Sequence, residues 1–138
     1  MEADVFVRGD PDKTDAIDVN LGEGSDFHGK YGYYVQGADP ADFAHLPAGW
    51  EVRTVKIQHP VYTDNRIGHC LGLLDLFLSK ASANRPKDKD FCTAMLTHEY
   101  VALDEVLPMI STMPIDDAAQ ARLTRNIKRW AKEAGIEQ

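Results

Sequence analysis

Short stretches of alternating apolar and polar residues occupy the first half of the chain, a pattern typical of strands with one buried face. The stretch over residues 52–57 alternates most regularly. Ile17 and Leu21, four residues apart, predict a short helix over residues 14–21, and the glycine-rich residues 22–32 are predicted to form a loop because glycine favours positive φ angles. The predicted strands cover residues 3–8, 33–35, 52–57 and 67–71.

From residue 73 onward the apolar residues recur at the helical period, as Leu73, Phe77 and Ala81 show. Pro86 suits the first turn of a second helix, where its missing N–H costs nothing. The predicted helices cover residues 73–81, about 86–98, 103–112 and 116–135. Strands first and helices last indicate an α+β fold, a small mixed sheet followed by a C-terminal bundle of about four helices.

The size and charge of the chain limit its organisation and its partners. Its 138 residues, 43% of them hydrophobic, fit a single domain, with an α/β part over residues 1–71 and a helical part over residues 72–138. Ten acids and three bases in residues 1–50 account for the whole net charge of −7, because the later residues hold twelve of each. This balance argues against a simple nucleic-acid coat protein.

Several classes of location are disfavoured by local composition. No apolar run approaches the roughly 18 residues of a membrane span, and the acidic start after Met1 differs from a secretion signal. Cys70 and Cys92 lie in apolar surroundings, so we expect two buried, reduced thiols. These features predict a cytoplasmic protein.

Glu2 and Asp4 form the first candidate site. Residues i and i+2 of a strand face the same side, so both carboxylates can hold a divalent cation such as Mg²⁺. The alternative is a pair of solvated acids near the terminus.

A basic cluster between two predicted helices is the second candidate site. Lys80, Arg85 and Lys87 can bind phosphate beside the N–H groups that open the second helix. The alternative is a solvated turn in which Asp88 only caps the helix.

The last predicted helix carries a row of bases opposite its apolar stripe. Such a face can contact RNA or DNA, but it lacks aromatic residues for base stacking, and we expect a solvated face. The bases are Arg122, Arg125, Lys128, Arg129 and Lys132.

Six short blocks in order resemble an uncharacterised bacterial nucleotidyltransferase-like family. This family looks like a distant branch of the polymerase-beta-type nucleotidyltransferases, near the toxins of abortive-infection and toxin–antitoxin systems. The resemblance covers residues 1–107. The blocks are M-E-A-D-V, G-E-G-S-D-F-H, Y-G-Y-Y-V-Q-G, L-P-A-G-W-E-V-R, D-L-F-L-S-K and R-P-K-D-K-D-F.

The resemblance implies roles for residues at the matching positions. Glu2 and Asp4 match the carboxylates that would bind Mg²⁺, and Lys80 matches a lysine that would contact a nucleoside triphosphate. The implied reaction is metal-assisted nucleotidyl transfer with pyrophosphate as leaving group. The block that contains Arg85, Lys87 and Asp88 would support the nucleotide, whereas Trp50 and Arg53 match a block without an assigned role.

Two departures from the family pattern point to a weak or degenerate site. The Gly-Ser turn that precedes the acidic strand in the superfamily is missing because the chain begins at Met1, and no third carboxylate is evident. Such a truncation would expose a sheet edge, which we expect a partner chain or a homo-oligomer to cover. The alternative function is a non-catalytic binding or oligomerising module with the same fold.

Overall fold

The computed structural model describes residues 2–7, 10, 12–38 and 45–136. The chain divides into two compact units, Met1–Ala44 and His45–Gln138. Small sheets come early in the chain and packed helices come late, so the α+β class is confirmed. The organisation of residues 1–138 as a single domain stays a prediction.

The first unit is a pair of parallel strands joined by two helices. Its elements are β1 (Glu2–Val5), α1 (Asp12–Leu21), α2 (Asp26–Tyr31) and β2 (Tyr34–Gly37). The register places Glu2 opposite Tyr34 and Asp4 opposite Gln36. Helix α1 packs against β2, where Asp18 Oδ1 accepts a hydrogen bond of 2.6 Å from the N–H of Gly37.

The prediction of a loop over residues 22–32 is wrong in part, because α2 lies within it. Ser25 caps this helix, its Oγ accepting from the N–H of His28 at 3.2 Å. Gly32 ends the helix at φ 74°, a left-handed conformation that suits glycine. The strand predicted over residues 3–8 is shorter, and Arg8 lies outside the described residues.

The second unit begins with an antiparallel ribbon and continues as helices. Its elements are a 3₁₀ turn (Trp50–Arg53), β3 (Val55–Ile57), β4 (Gly68–Cys70), α3 (Leu73–Ala83), α4 (Pro86–Thr97), α5 (Leu103–Met109), a 3₁₀ turn (Ile110–Thr112) and α6 (Asp117–Glu133). The strand predicted over residues 52–57 therefore begins only at Val55. Gly49, at φ 76°, starts the turn, and Thr54 Oγ1 closes it with a hydrogen bond of 3.0 Å to the carbonyl of Glu51.

The four helices α3–α6 enclose the hydrophobic core of this unit. The side chains of Phe77, Leu78, Val106, Ile127 and Trp130 are at most 1% exposed and lie in one cluster. The stripe predicted for the last helix is thus buried at its central positions. Asp116 caps α6, because its Oδ1 accepts from the N–H of Ala119 at 2.7 Å.

The two cysteines differ in exposure. Both are free thiols, but Cys70 lies exposed on β4 whereas Cys92 is buried in α4, so the prediction of two buried thiols is wrong for Cys70. The three residues of β4 are all exposed, so the apolar residues next to Cys70 in the sequence do not shield its thiol from solvent. None of the helices in the described ranges is both long and apolar enough to cross a membrane.

Candidate functional sites

The predicted carboxylate pair lies on β1, whose four residues are all exposed. The parallel register brings Tyr34 beside Glu2, and Tyr34 Oη donates a hydrogen bond of 2.8 Å to Glu2 Oε2. This hydrogen bond, followed by burial and by the charges of Glu2, Glu23 and Asp4, raises the pKa of Tyr34 to about 12. The charges of three carboxylates, Glu2, Glu23 and Asp4, therefore all act to raise the pKa of this one phenol.

The carboxylates of Glu2 and Asp4 determine which metal ion this surface can bind. Among the described residues, no group of three or more His, Cys, Asp or Glu side chains is arranged to hold a metal. Mg²⁺ needs only one or two protein carboxylates when it keeps its waters and binds phosphates. Glu2 and Asp4 share a face and are oxygen donors, so they fit that requirement while Tyr34 orients Glu2.

At the junction of α3 and α4, Arg85 and Asp88 bind each other. Arg85 Nε lies 2.6 Å from Asp88 Oδ2, and Arg85 Nη2 lies 3.1 Å from Asp88 Oδ1. The backbone N–H of Arg85 also donates to Asp88 Oδ2 at 3.2 Å. The Asp88 side chain is only 2% exposed, so the geometry favours its interpretation as a helix cap.

Burial and charge act in opposite directions on Asp88. Burial raises its pKa, but the hydrogen bonds from Arg85 and the charges of Arg85 and Lys80 outweigh burial and hold the pKa below its usual range. Lys80 also acts on Cys92, whose pKa is nevertheless raised to about 12 by burial and by the charge of Asp88. The structure thus pairs Arg85 with Asp88, on which the charge of Lys80 also acts, and Lys87 lies exposed on the first turn of α4.

The two candidate clusters lie in different units of the chain. Glu2 and Asp4 belong to Met1–Ala44, whereas Lys80 and the α4 residues belong to His45–Gln138. That both clusters serve one nucleotide, as the resemblance implies, therefore stays a prediction.

Sequence reasoning missed the partner of Arg53. Its guanidinium forms a two-pronged contact with Asp75 in the first turn of α3, with Nε 3.0 Å from Oδ2 and Nη2 2.6 Å from Oδ1. The same guanidinium donates to the carbonyls of Ala48 and Pro47. Asp75 is 1% exposed, and its hydrogen bond and charge, which outweigh burial, raise the pKa of Arg53. An acid inside the apolar run L-L-D-L-F-L was the available signal.

Strands β3 and β4 with their connection form an exposed arm, residues 55–70, called here the β3–β4 ribbon. All six strand residues are exposed. Its tip is a tight turn in which His59 Nδ1 accepts from the N–H groups of Val61 and Tyr62. Its large apolar side chains are at least half exposed: Val55 57%, Ile57 52%, Val61 79%, Tyr62 86% and Ile67 50%.

Comparisons with protein-family models, curated proteins and solved structures find no match to this chain. The resemblance to the nucleotidyltransferase-like family, and the roles that it implies, therefore stay predictions.

Proposed function

We propose that this protein is a non-catalytic binding module that associates with a second copy of itself through the β3–β4 ribbon. The observation that carries the proposal is the exposure of five large apolar side chains on one short arm. Contiguous exposed apolar surface is uncommon on monomeric proteins and marks interaction sites.

The backbone of the ribbon favours a second copy as its occupant. A two-stranded sheet is marginal in water by itself, and each strand has one edge without a ladder partner in the described chain. Edge-to-edge pairing of two ribbons about a two-fold axis adds strands to both and covers the same side chains in each. The strands are only three residues long, so we expect a small interface and micromolar affinity.

The α3–α4 junction argues against a nucleotide site at that place. A nucleotide site needs cations and carboxylates that turn towards the ligand. Here the guanidinium of Arg85 and the buried carboxylate of Asp88 form hydrogen bonds with each other. Two of the four residues predicted to support a nucleotide thus have an evident structural role.

Sedimentation velocity across the micromolar range tests the association. We expect the wild type to shift from monomer to dimer with concentration, and Ile57→Lys to remain monomeric because a buried unpaired charge would oppose the interface. The matched control is Val19→Lys on α1, since Val19 is 77% exposed and lies in the other unit. A wild type that stays monomeric at every concentration, or equal dimerisation of the wild type and Ile57→Lys, would contradict the proposal.

Metal-dependent nucleotidyl transfer is the second candidate function, and the shared face of Glu2 and Asp4 is the observation that favours it. In this case both carboxylates would hold Mg²⁺ and Tyr34 would orient Glu2, whereas the triphosphate contact of Lys80 rests on the family resemblance alone. When bound, the metal would supply Lewis-acid stabilisation of the phosphates.

Calorimetry with nucleoside triphosphates, with and without Mg²⁺, tests this second candidate. Asp4→Asn should weaken Mg²⁺-dependent binding, because it removes one of two anionic ligands. Asp15→Asn, at an exposed acid on α1, should leave it unchanged. If the wild type shows no Mg²⁺-dependent heat of nucleotide binding, the proposal of nucleotidyl transfer is refuted. In either case we propose a cytoplasmic location, which the two free thiols support.

A further inference from the structure

The outer surface of α6 is strongly basic. Five cations lie on it, and together they are called here the α6 basic face: Arg122, Arg125, Lys128, Arg129 and Lys132. All five are exposed, whereas Leu123, Ile127 and Trp130 on the opposite side of the helix are buried in the core. The cations recur every three or four residues and therefore form one continuous stripe.

Few carboxylates neutralise this stripe. Glu133 lies at its edge, but its Oε2 is 2.8 Å from Lys89 Nζ, and its Oε1 lies 3.9 Å from Arg129 Nε. The hydrogen bond from Lys89 lowers the pKa of Glu133, so the main partner of this carboxylate is Lys89, which lies outside the α6 basic face. Among the residues that the structure describes, the other four cations of the α6 basic face form no ion pair.

The helix itself does not account for so many cations. Like charges three or four residues apart destabilise a helix. The helix dipole favours Lys132 in the last turn, but it does not favour Arg122 in the first half of Asp117–Glu133 or Arg125 at its centre. A bound polyanion would relieve the repulsion along the whole stripe.

The surroundings of the stripe select the kind of polyanion. An amphipathic helix enters a membrane surface with its apolar side, but here that side is occupied by the core. The α6 basic face carries no aromatic side chain on which unpaired bases could stack. Arg122 and Lys132 are about 15 Å apart along the axis at 1.5 Å per residue, which matches several phosphates of a duplex strand.

We propose that the α6 basic face binds the phosphate backbone of a nucleic-acid duplex without reading its sequence. The net charge of −7 does not oppose this locally, because residues 45–138 hold twelve acids and twelve bases. The proposal is independent of self-association through the β3–β4 ribbon. Duplex DNA and duplex RNA share the chemistry that is recognised, and the experiment below separates them.

Fluorescence anisotropy with labelled duplexes of DNA and of RNA provides the test. With about four phosphates neutralised, affinity should fall on the order of 100-fold for a fourfold rise in salt. Arg125→Gln combined with Lys128→Gln should lower the salt dependence by about two phosphate contacts. The control, Lys13→Gln with Lys30→Gln, removes the same charge from the other unit and should bind as the wild type.

Each remaining outcome bears on the proposal. Binding to either duplex that depends on the α6 basic face supports it, and the tighter duplex identifies the source. Failure to bind at low salt, equal losses in both double variants, or tighter binding to a single strand or to phosphatidylserine vesicles would overturn it. Ile57→Lys should keep the salt-dependent duplex binding, so failure here is distinguishable from failure of the ribbon proposal.

Discussion

Replacing Asp75 by alanine removes the contact that holds the turn at Trp50–Arg53 against α3. Hydrogen bonds to charged groups contribute about 1.5–3 kcal/mol, and breaking a buried ion pair costs about 3–5 kcal/mol. Asp75 is 1% exposed, but the Arg53 side chain is 36% exposed and would regain part of its hydration. We therefore expect Asp75→Ala to lower the free energy of unfolding by about 2–3 kcal/mol, below the full cost of a buried pair.

Urea denaturation followed by tryptophan fluorescence measures this loss, because Trp50 and Trp130 both lie in the same unit and Trp130 is 1% exposed in its core. With a slope of about 2 kcal/mol per molar urea, the midpoint should fall by about 1–1.5 M. Arg66→Ala removes an exposed pair in which the atoms are 3.9 Å apart, and its midpoint should match the wild type. A loss for Asp75→Ala below about 0.5 kcal/mol, the range of ordinary surface substitutions, would refute the reasoning.

Three further predictions concern single groups. A thiol reagent should modify Cys70 in the native protein but reach buried Cys92 only after unfolding, so two fast-reacting thiols would be inconsistent with the structure. Tyr34 should titrate near pH 12 by absorbance, and Glu2→Gln should lower that pKa. Because the folded pKa lies above the ordinary 10, the free energy of unfolding of the first unit should fall as pH rises from 10 to 12. A Tyr34 pKa near 10 in the wild type would disprove the hydrogen bond. Ile127→Ala should cost about 2–5 kcal/mol in urea unfolding, because it opens a cavity in the core, and a loss below 1 kcal/mol would contradict the packing.

The helical half was the most predictable part of the fold. Helix α6 was predicted nearly to its ends because capping by Asp116 and an apolar residue every third or fourth position are local properties. The strands were less predictable. The strand predicted over residues 52–57 gives up Val52 and Arg53 to the 3₁₀ turn, because the turn is closed by Thr54 and by Arg53, whose partner Asp75 is 22 residues away.

In the candidate sites, too, local features were predictable from the sequence and contacts between distant residues were not. The common face of Glu2 and Asp4 followed from strand geometry, and the capping role of Asp88 was one of two interpretations that local sequence offered. The contact between Glu2 and Tyr34 joins residues 32 positions apart, so it depended on the register of β1 and β2. The exposure of the β3–β4 ribbon could not be predicted from the sequence either, because alternation alone predicts one buried face for each strand.

The sequence by itself determined the α+β order of the chain, the buried stripe of α6 and its basic face, because each depends on spacing within one element. Only the tertiary structure decided which charges of separate elements satisfy each other: Asp75 by Arg53 and Glu133 by Lys89. The physical reason is that burial and ion pairing depend on distances between elements, and Coulomb energies and desolvation change over a few ångströms that no one-dimensional pattern contains.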